Sequence, residues 1–492
     1  MHRVRRLSLV ILLVAAAAAC GRDDNNNSGG DNTTAAAAAT TAAATATTAS
    51  GATDTTTADT GGTATTAADI KAKCASEPLQ ATEVGITPKD ITIEVMADVG
   101  SPLAPGLFQG SIDGVQAWAK TVNANGGVGC RQIKVRTWDS KLTPDDTTNG
   151  TIDACQNAAA MVGSTALFVV DPSNLATCKD KAGKATGVPD IAERAVEIAH
   201  QCNPTTFSIS TIPGECPYSG GVRKSDEFVA PYEYYKSIEP GVHGIFLLAG
   251  DLPGTLAGSL MNVNAIEMSG NIINDGAFKV SGSDTQASYA RFIQAIKAKK
   301  STFAQSGSND VSMVKLRKEA KAQGVDTVKV WACSLACYTP SFLQQGGADI
   351  EGTYLWTQFV PLEEADAVPE LQKYIDAVGG LPKTTSWGIG AWSSGMAFQQ
   401  VVDNIVATDG PNAITREKIL AGLKQMQTDG TFNANGIYGE KLTLSGPGTC
   451  FMMMQVQNGK FVRVFPEERG KLSCPENPTF EINLDPSKLT AN

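Results

Sequence analysis

The sequence predicts an α/β protein with two doubly wound lobes and a disordered N-terminal tether. Strand and helix patterns alternate, the alternation restarts in the second half, and a low-complexity segment precedes both. The chain has 492 residues, a charged fraction of 18% and a formal net charge of −10. This length allows two to four domains, and no global excess of basic residues exists to support nucleic-acid binding.

The N-terminus predicts export and lipid attachment. A cationic start precedes an apolar run, Leu7–Ala19, whose helix would span about 20 Å, short of the ~30 Å hydrocarbon core. Residues 1–19 are therefore interpreted as a signal peptide. Cys20 resembles the lipidated cysteine of bacterial lipoproteins, although Ala17 stands where that pattern prefers Leu. The alternative is cleavage elsewhere in the alanine run, with Cys20 incidental.

Residues 20–70 are predicted to form the lipidated Cys20 plus a disordered Ala/Thr-rich tether. Positions 33–68 contain 15 Thr and 15 Ala and no large apolar side chain, so burial cannot offset the chain entropy. Cleavage after residue 19 removes three arginines and leaves 37 basic against 50 acidic side chains, a balance of −13. An acidic chain gains nothing from an anionic membrane surface, so the lipid would hold it there.

The first globular segments follow a strand–helix–strand–helix–strand order, which is typical of a parallel sheet covered on both faces. Ile91, Ile93 and Val95 alternate in the first strand, and the helix after it stops at Asn125-Gly126-Gly127. The remaining predicted elements of this half are a strand at Ile133–Trp138, a helix over 144–163 and an apolar strand at Ala166–Val170.

The alternation restarts with an apolar strand at Gly244–Ala249 and ends in a hairpin about Asn458-Gly459. The predicted helices of this half are Gly254–Met268, Tyr289–Lys299, Val311–Gln323, Trp392–Ala407 and Thr415–Met426. The predicted strands are Phe278–Val280, Ser301–Gln305, Thr327–Ala332, Tyr354–Val360, Cys450–Val456 and Lys460–Phe465.

The sequence carries no motif for catalysis or for a cofactor. It contains no G-x-S-x-G, no G-x-x-x-x-G-K-[ST] and no H-E-x-x-H, and its Gly-rich stretches complete no dinucleotide fingerprint. Outside the leader only His200 and His243 remain, too few for a multi-histidine metal centre, and both are interpreted as structural. We therefore expect no enzyme, no cofactor and no metal.

Ten cysteines remain once Cys20 is set aside, an even number that suits disulfides in an exported protein. Metal ligation is the alternative, but Cys333-Ser-Leu-Ala-Cys337 has no second pair of matching short spacing. Counting alone leaves the connectivity open. A provisional pairing joins cysteines that follow one another in the chain: Cys74–Cys130, Cys155–Cys178, Cys202–Cys216, Cys333–Cys337 and Cys450–Cys474.

The order of segments resembles the type I periplasmic binding proteins, and more narrowly the leucine/isoleucine/valine-binding family of ABC importers. The stretch Val122-Asn-Ala-Asn-Gly-Gly-Val128 is similar to the family's "IN..GG(I/V)" before its second strand, and Asp139 is followed by a Pro-initiated helix. Cys155 and Cys178 are similar to a bridge of that family. The resemblance spans about residues 86–465.

The resemblance implies two lobes joined by three crossing strands, near Phe207–Ile212, Thr353–Phe359 and Glu440–Leu444. The first lobe would comprise residues 86–213 and 357–438, and the second 214–356 and 439–492.

The resemblance also places a ligand in the interlobe cleft, where strand ends meet. Ser173 and Asn174 are candidate anion-side donors, and Asp171-Pro172 replaces part of the family's Ser-rich loop. The family's second-lobe acid falls near Ser334, so Asp251, Asp310 or Glu193 would supply the charge for an ammonium group. The alternative for these loop residues is helix capping or a turn. The full set of candidates is Phe108, Asp171, Ser173, Asn174, Ala192, Glu193, Asp251, Ser308, Asn309, Asp310, Trp331, Ser334 and Trp387.

The expected function is a lipid-anchored substrate-binding protein of an ABC importer at the outer face of the cell membrane. It would bind a small polar or branched-chain amino-acid-like solute by lobe closure and deliver it to a membrane permease, without bond chemistry and without nucleic acid. One alternative is an extracellular sensor of amides or related molecules on the same fold. An exported enzyme is the other, and the scarcity of histidine and the missing motifs disfavour it.

Overall fold

The computed structural model describes residues 67–101, 105–216, 221–251, 253–430, 432–439 and 442–491. The predicted signal peptide, Cys20 and the tether up to residue 66 lie outside these residues, as do residues 440 and 441 of the third predicted crossing. The last four residues of the predicted tether begin a helix.

The helices of the described chain include two long ones that matter for the site, α2 and α12. The helices are α1 (Ala67–Cys74), α2 (Gln109–Ala124), α3 (Pro144–Asn157), α4 (Ser173–Ala176), α5 (Ile198–Gln201), α6 (Ala230–Ile238), α7 (Pro253–Met268), α8 (Ala290–Lys299), α9 (Asp310–Ala322), α10 (Pro340–Gly346), α11 (Pro369–Val378), α12 (Ser386–Asp409) and α13 (Arg416–Asp429).

The strands form two large sheets and one small one. They are β1 (Asp90–Ala97), β2 (Gln132–Asp139), β3 (Ala160–Val162), β4 (Asp190–Ala192), β5 (Thr206–Ser208), β6 (Arg223–Phe228), β7 (His243–Ala249), β8 (Ile273–Val280), β9 (Phe303–Ser306), β10 (Val330–Cys333), β11 (Tyr354–Thr357), β12 (Met452–Gln457), β13 (Lys460–Phe465) and β14 (Thr479–Leu484).

The first lobe is built on a five-stranded sheet of order β2-β1-β3-β4-β5 in which every pair is parallel. The inner strands β3 and β4 and the edge strand β5 are buried along their whole length, as expected for a sheet covered by helices on both faces. Helices α2 and α12 pack against each other beside this sheet.

The third strand corrects one expectation. The sequence predicted a helix over 144–163 and a strand at Ala166–Val170, whereas α3 ends at Asn157 and the strand is Ala160–Val162. Alanine favours helix on its own, but Ile93 pairs with Ala160, and this parallel pairing with β1 draws the alanine-rich stretch into the sheet. Tertiary packing therefore outweighs local propensity here.

The second lobe has a seven-stranded sheet of order β13-β12-β11-β10-β9-β7-β8. Strands β7 to β11 pair in parallel, while β12 and β13 form the predicted antiparallel hairpin at one edge. A separate two-stranded sheet pairs β14 with β6. The mixed α/β class with parallel-sheet lobes is thus confirmed. Over the residues described, no helix combines the length and apolarity that crossing a bilayer requires.

Helices α2 and α12 approach so closely that only glycine fits between them. A Cβ built on Gly114 would lie 2.4 Å from the Gly388 carbonyl oxygen, and one built on Gly110 would lie 1.9 Å from the Thr385 hydroxyl oxygen. Gly395 meets Trp118 further along both helices. The two helices therefore run parallel and begin at the same edge, the one where the strands of the first sheet end.

The ten described cysteines form five disulfides, and each joins a cysteine to the next one in the chain, as in the provisional pairing. Arg416, buried under the second bridge, donates from Nη2 to the carbonyl oxygens of Cys155 (2.8 Å) and Ala158 (2.5 Å) and fixes the end of α3. The pairs are Cys74–Cys130, Cys155–Cys178, Cys202–Cys216, Cys333–Cys337 and Cys450–Cys474.

We predict that Gly114→Ala destabilises the protein by about 1–3 kcal/mol, because the new methyl group would push against the Gly388 backbone and separate α2 from α12. Gly258→Ala in α7 is the matched control, since a Cβ there meets nothing within 4 Å. The control should stabilise by about 0.5–1 kcal/mol. Urea unfolding measures both, and equal effects at the two positions would contradict the close-contact explanation.

Candidate functional site

The carboxyl edge of the first sheet gathers a group of polar and aromatic side chains. Strands β1, β3 and β4 end there, and α2 and α12 begin there. In open α/β sheets ligands bind at this edge. We call the group the edge cluster, and it consists of Phe108, Ser111, Thr165, Glu193, Arg194 and Trp387.

Buried Asp98 fixes the loops that surround the edge cluster. Its carboxylate accepts hydrogen bonds from the Ser140 hydroxyl (2.6 Å), the Leu142 amide (2.8 Å) and the Leu167 amide (2.8 Å). These donors follow β2 and β3, while Asp98 itself follows β1. One carboxylate therefore positions three strand-end loops.

Two of the three predicted aromatic residues, Phe108 and Trp387, lie together. The rings of Phe108 and Trp387 meet edge to face, with their centroids 5.2 Å apart. Phe108 directly precedes α2 and Trp387 is the second residue of α12, so the parallel helices bring the two rings to one place. They form an apolar wall at the sheet edge.

Glu193 is a buried acid beside this wall. Its Oε2 accepts a hydrogen bond from the Thr165 hydroxyl (3.3 Å), which in turn shares a hydrogen bond with the Ser111 hydroxyl (2.7 Å). Burial raises the pKa of Glu193 to about 7, and the opposing effects of Arg194 and the Thr165 hydrogen bond do not cancel it. A substantial share of Glu193 is therefore uncharged near neutral pH.

Arg194 stacks on the aromatic wall. Its guanidinium carbon lies 4.9 Å from the Trp387 ring centre, a cation–π distance. Its Nε lies 3.9 Å from the Glu193 carboxylate, and this buried nitrogen has no hydrogen-bond partner among the residues described. The side chain is 32% exposed. The sheet edge thus presents a partly open guanidinium on an aromatic face.

Tyr438, from the segment after α13, reaches the same region. Burial raises the pKa of its hydroxyl, with the neighbouring Glu193 carboxyl adding to the rise and Ser393 of α12 opposing it. Tyr438 therefore connects the edge cluster to the chain that leads back toward the second lobe.

The second lobe approaches this edge at one point. A Cβ built on Gly254, at the start of α7, would lie 2.8 Å from Oε1 of Glu197, which follows β4. Helix α7 begins after β7, so the carboxyl edges of the two sheets face each other. This approach and the edge cluster both lie at the carboxyl edge of the first sheet.

The predicted first-lobe residues separate into two groups. Phe108, Glu193 and Trp387 lie together, and Ala192 is the buried last residue of β4 next to Glu193. In contrast, the Asp171 carboxylate accepts from the Ser173 amide (3.0 Å) in the turn that starts α4.

Asn174 continues this second group. Its side chain donates to the Thr151 hydroxyl of α3 (3.5 Å), within the fold. The structure does not bring Asp171, Ser173 and Asn174 into the edge cluster.

Most of the predicted second-lobe residues form hydrogen bonds that fix turns or cap helices within the lobe. The Asp251 carboxylate accepts from the Ser281 hydroxyl (3.0 Å) and the Gly282 amide (2.8 Å). Asn309 caps α9 through the Ser312 amide (2.8 Å). These are the capping and turn roles that were the alternative.

The neighbouring candidates behave similarly. Asp310 accepts from the Thr339 hydroxyl (3.2 Å), close to Ser308. The Ser334 hydroxyl accepts from the Ala336 amide (3.4 Å) at the start of a short 3₁₀ turn. Trp331 lies under the Arg317 guanidinium at 4.7 Å. The ends of β9 and β10 bring residues 308–310 and Ser334 into one neighbourhood.

The two histidines have structural partners. His200 Nε2 lies 2.7 Å from Asp190 in the buried core, and His243 Nδ1 lies 2.7 Å from Asp275. Across the described ranges no group of three or more His, Cys, Asp or Glu is arranged to hold a metal ion.

Arg194, Ser111, Thr165 and Tyr438 were missed by the sequence interpretation. Arg194 directly follows Glu193 in a loop already singled out, so extending the strand-end rule by one residue would have found it. Ser111 and Tyr438 gave no such signal, because only the packing of α2 and α12 brings them to this edge.

The family assignment agrees with this geometry. Residues 90–460 match the sequence profile of the family described as "Periplasmic binding protein". The chain belongs to the periplasmic binding protein family. No curated protein sequence compared with this periplasmic binding protein matches it.

Solved structures share the fold at low identity. A fatty acid ABC transporter substrate-binding protein from Thermomonospora curvata is 15% identical, with a TM-score of 0.60 over 80% of this chain and 95% of its own. A branched-chain amino acid ABC transporter protein from Thermus thermophilus with bound valine is 13% identical, with a TM-score of 0.60 over 79% and 97%. The leucine-binding protein LivK from Thermotoga maritima is 13% identical, with a TM-score of 0.56 over 76% and 97%. The predicted type I fold of this periplasmic binding protein is confirmed.

We predict that Glu193 makes stability fall as pH rises. Its folded pKa of about 7 exceeds the ordinary value of 4.5, so between these values the folded state binds more protons than the unfolded state. The loss of stability caused by ionising buried Glu193 is small below pH 4.5 and reaches its full size above pH 7. The free energy of unfolding of Glu193→Gln should therefore rise relative to that of the wild type by about 2–3 kcal/mol when the pH is raised from 5 to 8. Urea unfolding at both pH values tests this, and parallel pH profiles for the two proteins would refute it.

Proposed function

We propose that this periplasmic binding protein is the lipid-anchored substrate-binding component of an ABC importer and that it binds a small polar or branched-chain amino-acid-like solute. The observation that carries the proposal is the edge cluster, which offers an aromatic wall and a guanidinium at the carboxyl edge of the first sheet. The approach of Glu197 to α7 supports the position of this cluster between two lobes.

The proposed mechanism is lobe closure on the solute, with no bond made or broken. The first lobe comprises residues 86–213 and 357–438 and the second 214–356 and 439–492, with the crossings as the hinge. The buried ion pair between Arg463 and Glu364 (2.6 Å) joins the segment after the second crossing to β13. The closed lobes would present one surface to a membrane permease.

Within the cleft we propose Phe108, Trp387 and Glu193 as first-lobe contacts, next to Ala192. The second lobe would contribute from Ser308–Asp310 and Ser334, which end neighbouring strands. Asp251 would shape the adjoining loop. The similar proteins from Thermus thermophilus, with bound valine, and Thermomonospora curvata, a fatty acid transporter component, indicate that this fold accommodates solutes with both a polar group and an apolar chain.

We predict that a solute from a total metabolite extract compacts and stabilises the protein. At a hundred times its dissociation constant, a solute that binds only the folded state adds about 2.7 kcal/mol to the free energy of unfolding. Small-angle scattering and thermal unfolding, each with and without dialysed extract, measure the two effects. An extract that changes neither the radius of gyration nor the melting temperature would contradict the proposed function.

We predict that Cys20→Ser releases the protein from the membrane fraction, because the thiol that would carry the lipid is removed. Incorporation of an alkyne-bearing fatty acid, followed by fractionation, measures this directly. Ala17→Leu is the matched control, since it restores the preferred lipoprotein residue and should keep both the label and the membrane association. Labelling that persists in Cys20→Ser would disprove the anchor at this residue.

A further inference from the structure

We propose that Arg194 is the anion-binding residue of the interlobe cleft, and that the solute carries a carboxylate joined to an apolar group that packs on Phe108 and Trp387. This inference rests on the proposed function and specifies the chemistry of its solute. It starts from an arginine whose hydrogen-bonding capacity is unused.

Arg194 differs from every other described arginine. Those eight arginines each donate at least one side-chain hydrogen bond within the protein, whereas the Arg194 guanidinium donates none to the described residues. Arg131, for example, gives Nε and both Nη groups to backbone carbonyl oxygens. A guanidinium has five donors in a planar fork. Nε of Arg194 is buried, so its two Nη groups are the donors that remain for a partner from outside.

The charge of Arg194 is also poorly balanced. Glu193 is the acid within ion-pair distance, but its oxygen is 3.9 Å from Nε, too far for a hydrogen bond. Burial additionally raises the pKa of Glu193 to about 7, so the acid offsets only part of the positive charge. A solute anion in a partly desolvated cleft would complete the pair.

Trp387 orients the guanidinium for such a partner. The guanidinium carbon lies 4.9 Å from the Trp387 ring centre, Phe108 meets the same ring edge to face, and Nε is buried, so the Nη side of the guanidinium is the part left for a partner. Planar bidentate recognition of a carboxylate uses this edge. The apolar part of the solute would then lie along the same two rings.

Among the described residues, the acids proposed to meet a solute ammonium group already accept hydrogen bonds within the protein. Asp251 is engaged by Ser281 and Gly282, and Asp310 by Thr339. Glu193 is buried, partly neutral near pH 7 and hydrogen-bonded to Thr165. The acids thus have partners within the protein while the Arg194 guanidinium donates to none of the described residues, so the carboxylate is the main recognised charge.

The test compares four probes that share one branched alkyl chain: L-leucine, 4-methylpentanoate, L-leucinamide and 3-methylbutylamine. Isothermal titration of the full protein should show binding of 4-methylpentanoate at least as tight as that of leucine, and no binding of the amide or the amine. Tighter binding of either non-acid than of both acids would overturn the inference.

Substitutions of Arg194 test whether this residue binds the carboxylate. Arg194→Met should weaken 4-methylpentanoate binding roughly 10- to 150-fold, the range for losing hydrogen bonds to a charged group. Arg194→Lys, which keeps the charge but not the fork, should fall between Met and wild type. Arg291→Met is the matched control, because Arg291 stacks on Phe292 at 4.6 Å on α8 of the second lobe and should leave affinity unchanged. Urea unfolding verifies that all three variants are folded.

The two levels of the proposal fail in different ways. If Arg194→Met binds acids as the wild type does, or if the metabolite extract compacts the protein while neither acid binds, the anion-binding role is wrong and the solute-binding function stands. If neither the extract nor any probe binds, the proposed function itself fails.

Discussion

The contact between α2 and α12 is the constraint on which the site depends. These helices are separated by more than 260 residues in sequence, and glycines allow their backbones to approach to within the space of a single Cβ. Because the helices run parallel, their first residues arrive together at the end of the sheet. This arrangement places the rings of Phe108 and Trp387 5.2 Å apart.

Buried polar groups then hold the loops at the sheet edge to which the two helices bring their first residues. The Asp98 carboxylate accepts hydrogen bonds from the loops after β2 and β3 and so fixes three strand-end loops relative to one another. The Ser111 and Thr165 hydroxyls are hydrogen-bonded to each other, and Thr165 donates to Glu193. Most buried groups there have partners inside the protein, which makes the edge rigid. Arg194 stands out because its guanidinium donates no hydrogen bond to any of the described residues.

The sequence predicted the parts of this molecule that local pattern controls. Alternating Ile91, Ile93 and Val95, and the Asn458-Gly459 turn, encode their strands and hairpin directly. The strand Ala160–Val162 could not be read locally, since alanine suits a helix and only pairing with β1 makes it extended. In the site, strand-end position indicated Glu193, and aromatic character indicated Phe108 and Trp387. Asp171, Ser173 and Asn174 satisfied the same positional rule, but their short side chains are used in turns and in contacts with α3.

The disulfide order has a consequence for how the protein matures. An exported chain crosses the membrane from its N-terminus, so its cysteines reach the oxidising side one after another. Each of the five bridges joins the newest cysteine to the one that arrived just before it. If the proposed lipid occupies Cys20, pairing in the order of emergence would yield this connectivity without breaking and rebuilding a wrong bridge. A chain that is exported from its N-terminus can form each of these disulfides as soon as the second cysteine of the pair has crossed the membrane.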